Sequence, residues 1–100
     1  MPYIIYAIDK EGQDILREEI RDEHRKHLGS LGPKLLYSGA LLDEDNQTII
    51  GGVSVVDVEN IGEAEAFANN DPYSKYGIRK EVRIEKWRIR WVKGKFMSDA

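Results

Sequence analysis

Residues 35–58 read Leu35-Leu36-Tyr37-Ser38-Gly39-Ala40-Leu41-Leu42, then Asp43-Glu44-Asp45-Asn46-Gln47, then Thr48-Ile49-Ile50-Gly51-Gly52-Val53-Ser54-Val55-Val56-Asp57-Val58. Two apolar segments, the second rich in β-branched residues, flank an acidic turn, which predicts a hairpin with strands over 35–42 and 48–58. The pair Gly51-Gly52 inside the second strand marks a bulge or a point where another backbone comes close.

Upstream, Tyr3 to Ile8 is aromatic and β-branched and short enough for a strand, with Gly12 closing it. Residues 13–31 then have helical spacing. At about 100° per residue, Leu16, Ile20, His24, His27, Leu28 and Leu31 fall within about 120° of one another, and the charged residues fall elsewhere. Gly29, Gly32 and Pro33 are expected to end this helix. Downstream, Ile61 to Asn69 reads as a short helix capped by Asn60, with Glu63 three residues on, and Asp71-Pro72 must stop it. Val82 to Val92 reads as a last strand carrying Trp87 and Trp91 on one side.

The resulting order, β-α-β-β-α-β, predicts an α+β fold of the ferredoxin-like type: a four-stranded antiparallel sheet with two helices on one face. Two helices cover one side only. The first strand is nevertheless apolar on both sides, with Ile4, Tyr6 and Ile8 opposite Tyr3, Ile5 and Ala7. A symmetric partner sheet is the simplest cover, so a homodimer is expected.

Length and composition set the outer bounds. One hundred residues without a repeat or linker predict a single domain over residues 1–100. No long apolar run is present, so no membrane partner is expected. Without cysteine there is no disulfide or thiolate chemistry. The chain's start has neither the basic opening nor the cleavage site of a signal peptide, and a cytoplasmic location is the expectation. Residues 1–70 carry a net charge of −8 and residues 71–100 one of +5. The basic part reads as a solvated face rather than a nucleic-acid surface, because the acidic whole opposes phosphate. The third strand also lacks the aromatics with which an RNA-recognition domain stacks bases. No nucleic-acid partner is expected.

Phosphate-binding glycine loops and the nucleophile elbow are absent from the sequence. What remains are the two histidines, His24 and His27, one turn apart on the apolar stripe. They read either as packed, hydrogen-bonded side chains or as the lining of a pocket between helix and sheet. As metal ligands they lack a third partner at fixed spacing, so no metal is expected. Asp71 reads as a turn carboxylate or as the group that orients a histidine. Spacing alone does not bring it to His24.

Taken in order, Tyr3-Ile4-Ile5-Tyr6-Ala7-x-Asp9, Arg21-x-x-His24, Leu35-Leu36-Tyr37-Ser38-Gly39, Ala64-x-x-Phe67-Ala68 and Asp71-Pro72-Tyr73-x-x-x-Gly77 resemble the YCII-related family across nearly the whole chain. The resemblance implies a dimeric α/β barrel and a histidine–aspartate site, here His24 and Asp71. It gives His27 no assigned counterpart. Ala40 departs from the proline that many members carry after the glycine, and the segment between the second and third strands is short.

The family's informative members are dehydrochlorinases of chlorinated hydroxyhydroquinones, and a related barrel family holds muconolactone isomerases. Both chemistries move protons on small oxygenated rings, which suits an imidazole with an ordinary pKa near 6.5. The implied function is therefore a cofactor-independent lyase of aromatic-compound degradation acting on a small aromatic or quinol-like substrate. Tyr6, Arg21, His27, Ser38 and Tyr73 are the candidate substrate-binding residues. An isomerase and a non-catalytic ligand-binding dimer are the alternatives.

Overall fold

The computed structural model describes residues 2–99; Met1 and Ala100, the ends of the expected domain, lie outside the described residues. The main sheet has β1 (Tyr3–Asp9), β2 (Leu35–Leu42), β3 (Ile49–Val56) and β4 (Arg79–Lys86) in the order β2-β3-β1-β4, with every pairing antiparallel. The helical segments are α1 (Asp14–Glu19), α2 (Arg21–Gly29), α3 (Ile61–Asn70) and α4 (Pro72–Lys75), and a single 3₁₀ turn, Gly32–Lys34, leads into β2. A separate two-stranded sheet joins β5 (Trp91–Val92) to β6 (Lys95–Phe96). The hairpin and the α+β plan are as the sequence predicts, although the second hairpin strand covers 49–56 rather than 48–58 and the short α4 lies outside the two expected helices. Among the described residues, no helix is long and apolar enough to cross a membrane.

The alternation of β1 decides how the layers stack. Tyr3, Ile5 and Ala7 point under the helices and are buried. Tyr3 and Ile5 join Val56 and Val58 with Ala64, Phe67 and Ala68 of α3 in the main core, against which Leu28, Leu31, Leu35 and Ile84 pack. Each large apolar side chain buried in this way stabilises the fold by about 1.5–3 kcal/mol. The opposite face presents Ile4, Tyr6 and Ile8 of β1 beside Val53 and Val55 of β3.

Gly51 explains itself by space. A Cβ there would lie 2.0 Å from the Ala7 carbonyl oxygen, so β3 meets β1 closely at this point. At the start of α3, the Asn60 side chain accepts from the Glu63 N–H at 3.0 Å. The Glu63 carboxylate accepts from the Glu59 N–H at 2.9 Å, one residue upstream of the reciprocal bond of a standard capping box.

Two elements differ in kind rather than only at their ends. The helix over 13–31 is divided at Ile20, whose backbone (φ −106°, ψ 10°) leaves helical geometry. Neither proline nor glycine causes the bend, and the bonds Ile20 N–H to Leu16 O and His24 N–H to Ile20 O persist across it. The reason is tertiary. Ile20 sits with Tyr73 and Ile78, and with Leu16 beside them, in a second apolar cluster, whereas Leu28 and Leu31 serve the main core. One straight helix is replaced by two short ones, each aimed at its own cluster, and α2 ends at Gly29, short of the expected Leu31.

The last strand is also corrected, to Arg79–Lys86 in place of 82–92. Among the described residues its one strand neighbour is β1, whose first residue, Tyr3, lies opposite Lys86. One more bond, from the Trp87 N–H to the Pro2 carbonyl, closes the ladder. Among the described residues no further strand lies beside it, and Trp91 joins the small hairpin instead, its ring tilted 59° against that of Phe96 with centroids 5.2 Å apart. The two tryptophans therefore do not share a face of the main sheet.

Candidate active site

Asp71 is where the site begins. It ends α3 and caps α4, and it is 2% exposed. Pro72 forces the residue before it out of helical geometry, and Asp71 adopts φ −62°, ψ 129°. That turn directs the carboxylate inward, where it accepts three N–H bonds. Oδ1 takes the Tyr73 backbone N–H at 2.9 Å and His24 Nδ1 at 2.8 Å, and Oδ2 takes Arg79 Nη2 at 3.0 Å. Burial by itself would push this carboxyl up. The His24 hydrogen bond, the charges of Arg79 and His24 and the Tyr73 N–H outweigh it and hold Asp71 below the ordinary carboxylate value.

An ionised carboxylate can only accept. The proton of a neutral His24 therefore sits on Nδ1, and Nε2 keeps its lone pair. Nε2 makes no hydrogen bond among the described residues. The imidazole also lies flat on the Tyr73 ring, with centroids 3.8 Å apart and planes 12° from parallel. The Arg17 guanidinium lies 4.3 Å from the same tyrosine ring. Arg17 is fixed in turn by Asp9 at 2.8 Å and by the Gly51 carbonyl at 3.4 Å. Burial raises the Tyr73 hydroxyl above its ordinary pKa against the opposing charge of Arg17, so it remains a neutral donor, directed at the Arg17 carbonyl at 3.4 Å.

These groups border a cleft of about 340 Å³ between α2 and the sheet, lined by His24, Arg25, Ser38, Ser54, Tyr73 and Arg79 among others. A cleft of this size suits one small ring. Its floor is open because Ala40 and Gly52, paired across β2 and β3, carry little or no side chain. The Ser38 and Ser54 hydroxyls bond to each other at 2.9 Å.

The fold thus brings together His24, Asp71, Ser38 and Tyr73, with Arg21 at the rim. Arg21 is already engaged by Glu18 at 2.8 Å, and both side chains are exposed. Two other candidates lie elsewhere. Tyr6 alternates with the buried Ile5 and Ala7 and so occupies the far face of the sheet. His27 stacks on Phe67 at 4.3 Å and its Nε2 donates to the Phe67 carbonyl at 2.8 Å, which is the packed, hydrogen-bonded role. Among the described residues, no group of three His, Cys, Asp or Glu side chains is placed to hold a metal ion.

Sequence reading missed Arg17, Arg25 and Arg79. The first two carried a signal, because Arg17, Arg21 and Arg25 recur every four residues on the helical stretch. Arg79 carried none: its bond to Asp71 depends on how β4 returns beside α4.

Comparison with known proteins agrees with this architecture. The chain is similar to the 5-chloro-2-hydroxyhydroquinone dehydrochlorinase TftG of Burkholderia phenoliruptrix AC1100, solved in complex with 2,5-dihydroxybenzoquinone. The TM-score is 0.79 at 25% identity, covering 88% of this chain and 94% of that one. A hypothetical Arabidopsis thaliana protein, At3g17210, shares the fold more distantly, with a TM-score of 0.52 at 14% identity over 92% of this chain and 89% of its own. No curated protein matches the sequence. The YCII-related domain model matches residues 1–88, and the chain accordingly belongs to the YCII-related family.

Proposed function

We propose that the protein is a small-molecule acid–base enzyme in which His24, oriented by Asp71, moves protons on an oxygenated ring. The observation that carries this reading is the 2.8 Å bond between His24 Nδ1 and a buried, ionised Asp71, which leaves Nε2 free at the cleft. Asp71 fixes the tautomer and stabilises the imidazolium that forms when Nε2 takes a proton. Positioned acid–base catalysis of this kind contributes about 10²–10⁴-fold.

The most concrete reaction is dehydrochlorination of a chlorinated hydroxyhydroquinone. Its support is the likeness to TftG together with a cleft that accepts one ring. His24 takes a ring hydroxyl proton and returns it to the carbon that bears chlorine. The resulting ketone then loses a second hydroxyl proton and chloride, giving a hydroxybenzoquinone. Net loss is HCl. The ring is oxidised by the electron pair that leaves with chloride, so no outside oxidant is needed. Ser38 and Tyr73 supply hydrogen bonds to ring oxygens, with Arg21 at the rim. The uncovered apolar face, with Ile4, Tyr6 and Ile8, supports pairing of two copies as a dimeric α/β barrel.

The test is chloride release from 5-chloro-2-hydroxyhydroquinone, followed with an ion-selective electrode. His24→Ala is expected to abolish turnover while the far-UV circular dichroism stays that of the parent. Unchanged turnover refutes the mechanism. A parent that binds the ring without consuming it, equally well after Asp71→Asn, points to a ligand-binding dimer instead.

A further inference from the structure

Four arginines and one histidine line the cleft that holds the dyad, and no carboxylate is exposed on its lining. Each of three arginines has its own counter-charge. Arg17 pairs with Asp9 at 2.8 Å, Arg21 with Glu18 at 2.8 Å, and Arg79 with Asp71 at 3.0 Å. Arg25 alone among the four has no ion pair or hydrogen bond among the described residues. It is exposed, it lines both this cleft and the adjoining recess toward α1, and its charge acts on the Tyr73 hydroxyl. Asp14 and Glu18 border that outer recess but not the inner cleft.

We propose that Arg25 is the substrate's anion anchor, so that the cleft selects a ring bearing an ionised oxygen, either a ring oxyanion or a ring-borne carboxylate. This deepens the proposed function and rests on the same cleft. The chemistry follows from the charge count. Paired arginines are already neutralised, whereas a free guanidinium offers a planar fork that meets an oxyanion with two parallel N–H bonds. His24 and Arg25 are adjacent in sequence and the helix turns about 100° between them, so they reach the cleft from different directions. A ring held at one edge by Arg25 thereby presents another edge to Nε2 of His24. The exposure of Arg25 also fits a group that meets ligand from solvent, unlike the half-buried Arg17.

The experiment is direct binding by calorimetry to parent, Arg25→Gln and Arg25→Lys. Three probes are used: 2,5-dihydroxybenzoquinone, ionised at neutral pH, 2,5-dihydroxybenzoate, and uncharged 2,5-dimethoxybenzoquinone. Arg25→Gln is expected to weaken the tighter anionic probe by about 10–100-fold, as loss of a hydrogen bond to a charged group does. The uncharged probe should change less than about twofold, and Arg25→Lys should recover part of the loss. Which anion the parent prefers identifies the ring oxyanion or the carboxylate.

The proposal is overturned if the parent binds neither anion, if Arg25→Gln leaves anion affinity unchanged, or if all probes weaken together. Circular dichroism confirms the fold of each variant, which an exposed side chain should not disturb. Anion binding that depends on Arg25 in a protein that releases no chloride would support the anchor while overturning the dehydrochlorinase reading.

Discussion

Replacing Asp71 by Asn tests the centre of the structure most sharply. The carboxylate accepts from the Tyr73 N–H, from His24 Nδ1 and from Arg79 Nη2, at 2.9, 2.8 and 3.0 Å. An amide has one accepting oxygen and turns its NH₂ toward one of those donors. Arg79, whose side chain is 11% exposed, then loses its counter-charge inside the protein. Removing one member of a buried pair costs about 3–5 kcal/mol, chiefly because the other charge is stranded. Domains of this size have roughly 5–15 kcal/mol in all, so the variant should be severely weakened. At about 4–8 °C per kcal/mol the melting temperature should fall by roughly 12–40 °C.

The pH dependence gives the test its sign. The folded pKa of Asp71 is depressed below its ordinary value of 3.8. Its stabilising contribution is therefore fully present above that value and is lost as pH falls through the lower folded one. Urea unfolding of parent and variant should show the full gap at pH 7 and a gap that closes in strong acid. A difference under about 1 kcal/mol at pH 7, or one that does not narrow with acid, refutes the account of a charge-matched Asp71.

Three smaller perturbations probe other parts of the argument. Gly51→Ala drives a methyl into the Ala7 carbonyl, a backbone atom that cannot swing aside. It should cost about 3 kcal/mol in thermal unfolding, the upper end for overpacking, and an unchanged melt contradicts the close approach. Asn60→Ala removes the acceptor for the Glu63 N–H and should cost about 1 kcal/mol by urea titration, whereas Asn60→Asp should not. His27→Gln loses the ring stacked on Phe67 and should lower stability by about 1 kcal/mol. Turnover should stay within about threefold of the parent in that variant, and a collapse of turnover would put His27 in the chemistry after all.

The features legible in the sequence were those whose causes lie within a few residues. The Asn60 cap needs only its neighbour Glu63. The acidic turn of the central hairpin, the Asp71-Pro72 helix stop and the alternation of β1 are likewise local, and the structure has them all. The glycine pair at 51–52 announced a close approach without naming Ala7 as the partner. Periodicity placed His24 and His27 on one stripe but could not separate them, because the difference lies in what each meets. His24 meets a carboxylate 47 residues on, and His27 a backbone carbonyl 40 residues on.

Tertiary structure decided the rest, wherever a residue answers to a distant partner. The bend at Ile20 exists because two apolar clusters demand two helix directions. The last strand ends at Lys86, opposite the first residue of β1, Tyr3, because its ladder follows the length of its distant partner. The charge state of the site was equally out of reach of sequence. Counting arginines shows cations, but only the three-dimensional pairing with Asp9, Glu18 and Asp71 reveals that, among the described residues, Arg25 is the one left unmatched in the cleft. Local sequence specifies elements because backbone bonding and side-chain periodicity are short-range. A site depends on which elements share a boundary, and that is set only when the core closes.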